Sequence, residues 1–340
     1  MLETIDIEDP AQLIRYLDER GYLKGQAQPG IRILHGGVSN RTVLVEFVGA
    51  SWVLKQALSQ LRVAVGWFAD PARIHREALG LRWLQQLAPP GSVPQLVFED
   101  FDQHILGMEA VPQPHENWKS LLLQGQLDQN LIAQFGELLG TVHRNAFHRR
   151  AEILSLFEDR SFFEELRLEP YYAYAASQVS EAAPFLDRLI EETRATSLTL
   201  VHGDYSPKNI LVHAGKLVLL DHEVIHFGDP SFDLGFSLTH LLSKAHHLPE
   251  LRLAFSQAAI LYWDTYRETL GLQAWVEQLE RRTVRQTIGC LLARIAGRSP
   301  LEYLTAEERD RQRSASIKLM ASPPANIPDM VECFLGELTE

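Results

Sequence analysis

The chain has 340 residues, 46% of them apolar, enough for two domains or one large two-lobed one with a real core. Its formal net charge is −12, from 32 basic and 44 acidic side chains, which lacks the basic footprint a nucleic-acid binder needs. Its two cysteines, Cys290 and Cys333, are too few for a disulfide framework and have no metal-type spacing.

The N-terminal stretch MLETIDIEDP is acidic and has neither the basic nor the apolar region of a signal peptide. No apolar run approaches the ~18 residues of a membrane span. The expectation is a cytoplasmic protein with no membrane and no nucleic-acid partner, monomeric or homodimeric.

In chain order, Asp9-Pro10 reads as an N-cap with proline at the first helical position, and Leu13, Ile14 and Leu17 follow at helical spacing up to Gly21. IRILHGG, RTVLVEFVG and SWVLKQA then read as three short strands, the first two joined by a turn, HGGVSN. Asp70-Pro71 opens a second helix with Ile74, Ala78, Leu81, Leu84 and Leu87 as its apolar stripe. Glu77 falls inside that stripe, three residues after Ile74 and four before Leu81, so its carboxylate needs a partner. Arg73, one turn earlier, and Lys55, on the third strand, are the two choices. APPGSVP breaks the chain, and QLVFED and HILGMEAVP follow as two more strands.

Beyond Pro112 the texture changes. Leu131, Ile132, Phe135, Leu138, Leu139 and Val142 mark an amphipathic helix, and most of the remainder is helical. The expectation is an α+β chain of two lobes, residues 1–112 and 113–340.

One stretch breaks the helical texture. In LTLVHGDYSPKNILVHAGKLVLLD, two apolar runs flank a polar knot, and a return strand follows the turn HAGK. If Val212 pairs with Leu217, Asn209 pairs with Leu220, and Asp204, Asn209 and Asp221 gather at one end of the ribbon, with Glu223 two residues beyond. Two acids and an amide suit a hard cation such as Mg²⁺, which commonly carries substrate phosphates, and leave Asp204 to act on a hydroxyl proton. The plainer reading is that each of these residues is a turn former.

HGDYSPKN has the H-x-D-x-x-x-x-N spacing of kinase catalytic loops. With LLDHEVIHFGDPSFDLG, it resembles the aminoglycoside phosphotransferase and choline kinase superfamily, and the chain has some likeness to the methylthioribose kinases. The resemblance implies a bilobal protein-kinase-like fold with a small antiparallel-sheet N-lobe and a mostly helical C-lobe. It implies ATP as co-substrate, Mg²⁺ held by Asn209 and Asp221 with Glu223 assisting, and Asp204 as catalytic base. His202 would brace the loop, as would Asp233, itself also an early-turn helix acid.

The resemblance places Gly36, Gly37, Ser39 and Asn40 at the phosphates, although the G-x-G-x-x-G of protein kinases is lacking. It places Lys55 on the phosphates with Glu77 as its partner, and Glu109 and Val111 at the adenine. Gly228 follows only seven positions after Asp221, and there is no A-P-E, so the acceptor is expected to be a small molecule with a hydroxyl, sugar-like or an amino alcohol. An aminoglycoside O-phosphotransferase and a nucleotide-binding pseudokinase scaffold are the competing readings. Tyr171, Tyr172, Tyr174, Trp263 and Tyr266 could wall a pocket for a cation, or belong to the core. His246 and His247 read as surface or loop residues.

Overall fold

A computed structural model describes residues 4–23, 28–35, 37, 39–62, 66–273 and 275–338. It contains two compact units. The first comprises the described parts of Met1–Gln86, Val93–Gln113 and Asp221–Glu223. The second comprises Leu87–Ser92, Pro114–Leu220 and the described parts of Val224–Glu340.

The first unit is a five-stranded antiparallel sheet in the order β1-β2-β3-β5-β4, made of Gly30–Ile33 (β1), Asn40–Phe47 (β2), Ala50–Ala57 (β3), Leu96–Asp100 (β4) and Ile105–Glu109 (β5). The strands alternate because each face has its own helix. On one side Val43, Val45, Leu54 and Ile105 pack with Leu13 and Leu17 of helix Pro10–Glu19 (α1). On the other, Ala57, Leu106 and Met108 pack with Ile74, Ala78 and Leu81 of helix Arg73–Leu87 (α2). Asp9 caps α1, its side chain accepting from the N–H groups of Ala11 and Gln12.

The second unit is mainly helical. Strand His115–Asn117 (β6) leads into Trp118–Leu123 (α3), Gln129–His148 (α4), Arg150–Phe157 (α5) and Ser161–Phe163 (α6). A π-helical segment, Glu164–Ala173, carries Pro170 inside it and runs on into Tyr174–Gln178 (α7), before Ala183–Ala195 (α8). Four short strands follow: Thr199–Val201 (β7), Ile210–His213 (β8), Lys216–Leu219 (β9) and His226–Gly228 (β10). The chain ends in Pro230–His247 (α9), Arg252–Leu270 (α10), Val276–Ala296 (α11), Ala306–Ala321 (α12) and Ile327–Glu337 (α13). Among the described residues, no helix is long and apolar enough to cross a membrane.

Helices α4 and α10 approach so closely that glycine is required between them. A Cβ on Gly136 would stand 2.6 Å from the Tyr262 carbonyl oxygen and 3.0 Å from the Tyr266 nitrogen. Gly136→Ala is therefore expected to lower the unfolding free energy by about 1–3 kcal/mol, read from a urea titration. Trp263 and Tyr266 are buried on α10, so they are core residues rather than pocket walls. His246 is buried in the last turn of α9, contrary to the surface position expected for it, and His247 is half-buried with Nδ1 3.1 Å from Glu308. The expectation failed because α12 supplies Glu308 as partner and Arg311, whose Nε approaches the His246 ring at 3.4 Å.

Candidate active site

In the first unit, Lys55 of β3 lies opposite Leu106 in the sheet, and its side chain emerges toward α2. Its Nζ donates to Glu77 at 2.7 Å and to Asp221 at 2.8 Å. Burial works against the ammonium, but Asp221 and Glu77 overcome it, and the Lys55 pKa lies well above the ordinary lysine value. Burial pushes the Glu77 carboxyl up to about 7, with Lys55 pulling down and the Asp221 and Glu223 charges adding to the rise. Asp221 has φ = +68°, a left-handed conformation that costs a non-glycine residue about 1–3 kcal/mol. In that conformation its carboxylate reaches Lys55.

Arg73, the other choice of partner for Glu77, serves elsewhere. Fully buried, it donates through Nε to Glu223 at 3.1 Å and through Nη2 to the carbonyls of Ser39 and Leu58. Asn40 Nδ2 donates to Ser39 Oγ and to Glu223 Oε2 at 3.4 Å. Ser39, Asn40 and Glu223 are thus buried and tied to one another through Arg73. Gly37 is exposed, and Gly36 lies outside the described residues. Glu109 closes β5, its N–H donating to the Gln95 carbonyl at 2.9 Å, and Val111 follows at a half-buried position.

In the second unit, β7 pairs antiparallel with β10, and the chain leaves β7 into residues 202–206. Gly203 has φ = +78°, and a Cβ there would stand 2.9 Å from Val224. Asp233, buried in the first turn of α9, gathers the loop: it accepts from the N–H of His202 at 2.7 Å and of Gly203 at 2.8 Å, with His143 Nε2 at 3.4 Å. Burial raises its pKa, but the His143 and His202 contacts outweigh that and hold it below the usual carboxylate range. Asp233 is thus both an early-turn helix acid and the brace of the loop. His202 Nδ1 accepts from the Asp204 N–H at 3.2 Å. Tyr205 stacks on Phe135 of α4 and donates to its carbonyl at 2.8 Å.

Asp204 Oδ2 accepts from Asn209 Nδ2 at 2.7 Å, and the same amide donates to the Asp204 carbonyl at 3.0 Å. Both amide donors are thereby turned to Asp204, which leaves the side-chain oxygen of Asn209, Oδ1, for another partner. The β8–β9 hairpin has the register expected from the sequence: Val212 faces Leu217, and the Leu220 N–H donates to the Asn209 carbonyl at 2.8 Å. Asp221 is the next residue in the chain.

Sequence reasoning missed Arg167. It is buried in the π-helical segment, its Nη2 2.9 Å from Asp204 Oδ2 and its Nε donating to the Gly203 carbonyl at 2.9 Å. The one signal was an arginine between Leu166 and Leu168, where a charge needs a partner.

Each unit by itself carries an oxygen donor of the kind a hard cation takes: the Asn209 amide in the second, and in the first the Asp221 carboxylate, which keeps 23% of its side-chain exposure. Among the described residues no group of three or more His, Cys, Asp or Glu forms a metal site. Mg²⁺ needs no such cage, since one or two protein oxygens with phosphates and waters complete its shell.

Residues 30–270 match the profile of the phosphotransferase enzyme family, and the chain belongs to that family. Among curated proteins it is similar to the methylthioribose kinase of Pectobacterium atrosepticum, 27% identical over 234 residues (61% of this chain, 57% of that protein). It is also similar to the methylthioribose kinase of Bacillus velezensis, 26% identical over 254 residues (66% of this chain, 62% of that protein). The chain spans less than two thirds of the length of either relative. Among solved structures, choline kinase from Cryptosporidium parvum Iowa II superposes with a TM-score of 0.57 at 13% identity, over 98% of this chain and 100% of that one. Amicoumacin kinase hAmiN, in complex with AMP-PNP, Ca²⁺ and Ami, superposes with a TM-score of 0.55 at 17% identity, over 93% of this chain and 97% of that one. The fold is protein-kinase-like, with an antiparallel sheet in its N-terminal part and helices in its C-terminal part.

Proposed function

We propose that the protein is a cytoplasmic small-molecule kinase that moves the γ-phosphoryl group of ATP to a hydroxyl of a sugar-like metabolite. The observation that carries this reading is the doubly paired Lys55, 2.7 Å from Glu77 and 2.8 Å from Asp221. In kinases the strand lysine must be held by a helix glutamate before it can hold ATP phosphates, and here that pair is formed. A nucleotide-binding scaffold would use the same pair; what it would not need is the oriented carboxylate of Asp204, held by Asn209 and Arg167.

Asp204 is the base. It accepts the hydroxyl proton as the acceptor oxygen bonds to the γ-phosphorus and the bond from that phosphorus to the leaving ADP oxygen breaks. Arg167 and Asn209 hold the Asp204 carboxylate in one orientation. His202 and Asp233 fix the loop backbone. Lys55 binds the ATP phosphates, and Glu77 orients it. Asn209 and Asp221 would hold Mg²⁺, which when bound neutralises charge on the phosphates. Glu223 acts through Arg73 and Asn40, shaping the backbone at Ser39 and Asn40 where the phosphates would lie. Glu109 and Val111 would meet the adenine through their backbone.

The test is a thermal shift with ATP, with and without Mg²⁺. The Mg²⁺-dependent part of the shift is expected to vanish in Asp221→Ala, and an unchanged shift would remove the metal role. Consumption of ATP against a panel of small hydroxyl compounds then identifies the acceptor.

A further inference from the structure

Next to Asp204 the second unit gathers four cations, two of them, Arg294 and Lys244, without a carboxylate among the described residues in ion-pair contact. Arg167, paired with Asp204, sits 5.7 Å from the Tyr171 ring. Arg294 of α11 lies over that same ring at 5.2 Å and over Phe236 of α9 at 5.9 Å. One turn beyond Phe236, His240 meets its ring edge at 5.0 Å, and one turn further is Lys244. The Lys244 ammonium lies 5.4 Å from the Tyr303 ring, and that of Lys119, on α3, approaches the same ring at 5.9 Å. The shared Tyr171 ring thus links Arg294 to Arg167 and, through it, to Asp204.

The charges are poorly balanced. Lys244 is fully buried and donates to the His240 carbonyl of its own helix. Arg294 donates to the Ser299 carbonyl. Among the described residues, neither meets a carboxylate within ion-pair distance. Lys119 does pair with Glu302. Three buried polar atoms of the cluster have no hydrogen-bond partner: Arg294 Nε, His240 Nε2 and Tyr303 Oη. Arg294 Nε is a donor outright, the Tyr303 hydroxyl donates or accepts, and the imidazole nitrogen is a donor in one tautomer. Burial, then Lys119, pull the Lys244 pKa down to about 7 against the opposing charge of Glu302, and burial with Lys244 and Arg294 holds His240 well below its ordinary value. A set of buried donors and cations lacking acceptors is complementary to an anion.

We propose that the phosphoryl acceptor carries an anionic group, a carboxylate or a phosphate, received by Arg294 and Lys244 while its hydroxyl faces Asp204. This rests on the kinase reading for its meaning, but the anion site can be tested apart from it. It runs against a cationic acceptor such as an aminoglycoside or amino alcohol. Tyr171, which the sequence offered to a cationic substrate, is already covered by two arginines of the protein.

The test uses the full chain saturated with Mg-ATP and matched probes. Glycerate and gluconate form the carboxylate arm, glycerol 3-phosphate and ribose 5-phosphate the phosphate arm. Glycerol, sorbitol and ribose are neutral counterparts, and glucosamine and kanamycin are cationic ones. Thermal shift is read at ionic strength matched with sodium chloride, and ATP consumption is read in parallel.

One anionic arm is expected to raise the melting midpoint above the chloride control, and the arm that does so tells carboxylate from phosphate. If transfer occurs, kcat/KM for that arm should exceed that of its neutral counterparts at least ~10-fold. Lys244→Met and Arg294→Gln should each cut that preference about 10- to 100-fold, the scale of one charge-assisted hydrogen bond. The inference is overturned if no anion exceeds the chloride control, or if the preference survives in both variants. The wild-type arm decides even where a variant does not fold. If the anions bind and no phosphate moves, the site stands and the kinase reading falls. If only neutral or cationic compounds are phosphorylated, the kinase reading stands and the anion site falls.

Discussion

Asp204→Asn is expected to lower kcat about 10²- to 10⁴-fold, the usual contribution of a positioned base, with Mg-ATP affinity changed less than about twofold. The substitution keeps the size of the side chain and removes its ability to take a proton. The surroundings of Asp204 make it a clean experiment. Asn209 and Arg167 both donate to Oδ2, at 2.7 and 2.9 Å, and an asparagine can present its carbonyl oxygen to the same two donors. Loss of turnover would then report on proton transfer rather than on a displaced loop. The measurement is single-turnover phosphoryl transfer to the best acceptor, alongside a nucleotide thermal shift. Activity within tenfold of wild type would exclude Asp204 as the base.

Asp233→Ala is expected to cost about 3–5 kcal/mol of stability, the scale for stripping one partner from a buried charged network. The carboxylate receives the His202 and Gly203 N–H groups and faces His143, all buried, so the alanine leaves several donors without acceptors. Urea titration followed by circular dichroism checks it, and a loss below about 1 kcal/mol would refute the bracing role. The pH dependence has a definite sign. Because the folded pKa of Asp233 is depressed, its stabilisation is fully present above the unfolded value near 3.8 and is lost as pH falls through the lower folded value. Wild type should therefore lose its margin over the alanine variant only in strong acid.

Much of this arrangement is legible in the residues because it is local. The register of β8 and β9 follows from the turn at Ala214-Gly215, both with positive φ, so one correct pairing determines every later one. The two-faced sheet follows from strict alternation, as at Ile105 and Leu106, which pack into different clusters. Glu77 announced itself as a charge inside an apolar stripe, although choosing Lys55 over Arg73 needed the family likeness.

The remainder depends on contacts distant in the chain. Arg73 reaches Glu223 across 150 positions. Arg167 sits in a π-helical turn whose wider winding follows neither the helical nor the strand period, so no pattern exposes which way it points. The cations at 119, 244 and 294 come from three separate helices, and none has a neighbour in sequence that marks it as special. Their mutual proximity is a product of packing alone.

Helix α9 carries Asp233 in its first turn and Lys244 in its last. At 1.5 Å per residue the two are about 16 Å apart along one rigid rod. One end of that rod holds the 202–204 loop, and the other carries the proposed anion contact. On that proposal, exchanging side chains at the far end would change the charge of the accepted molecule without loosening the loop, so the helix is the natural place to begin redesign.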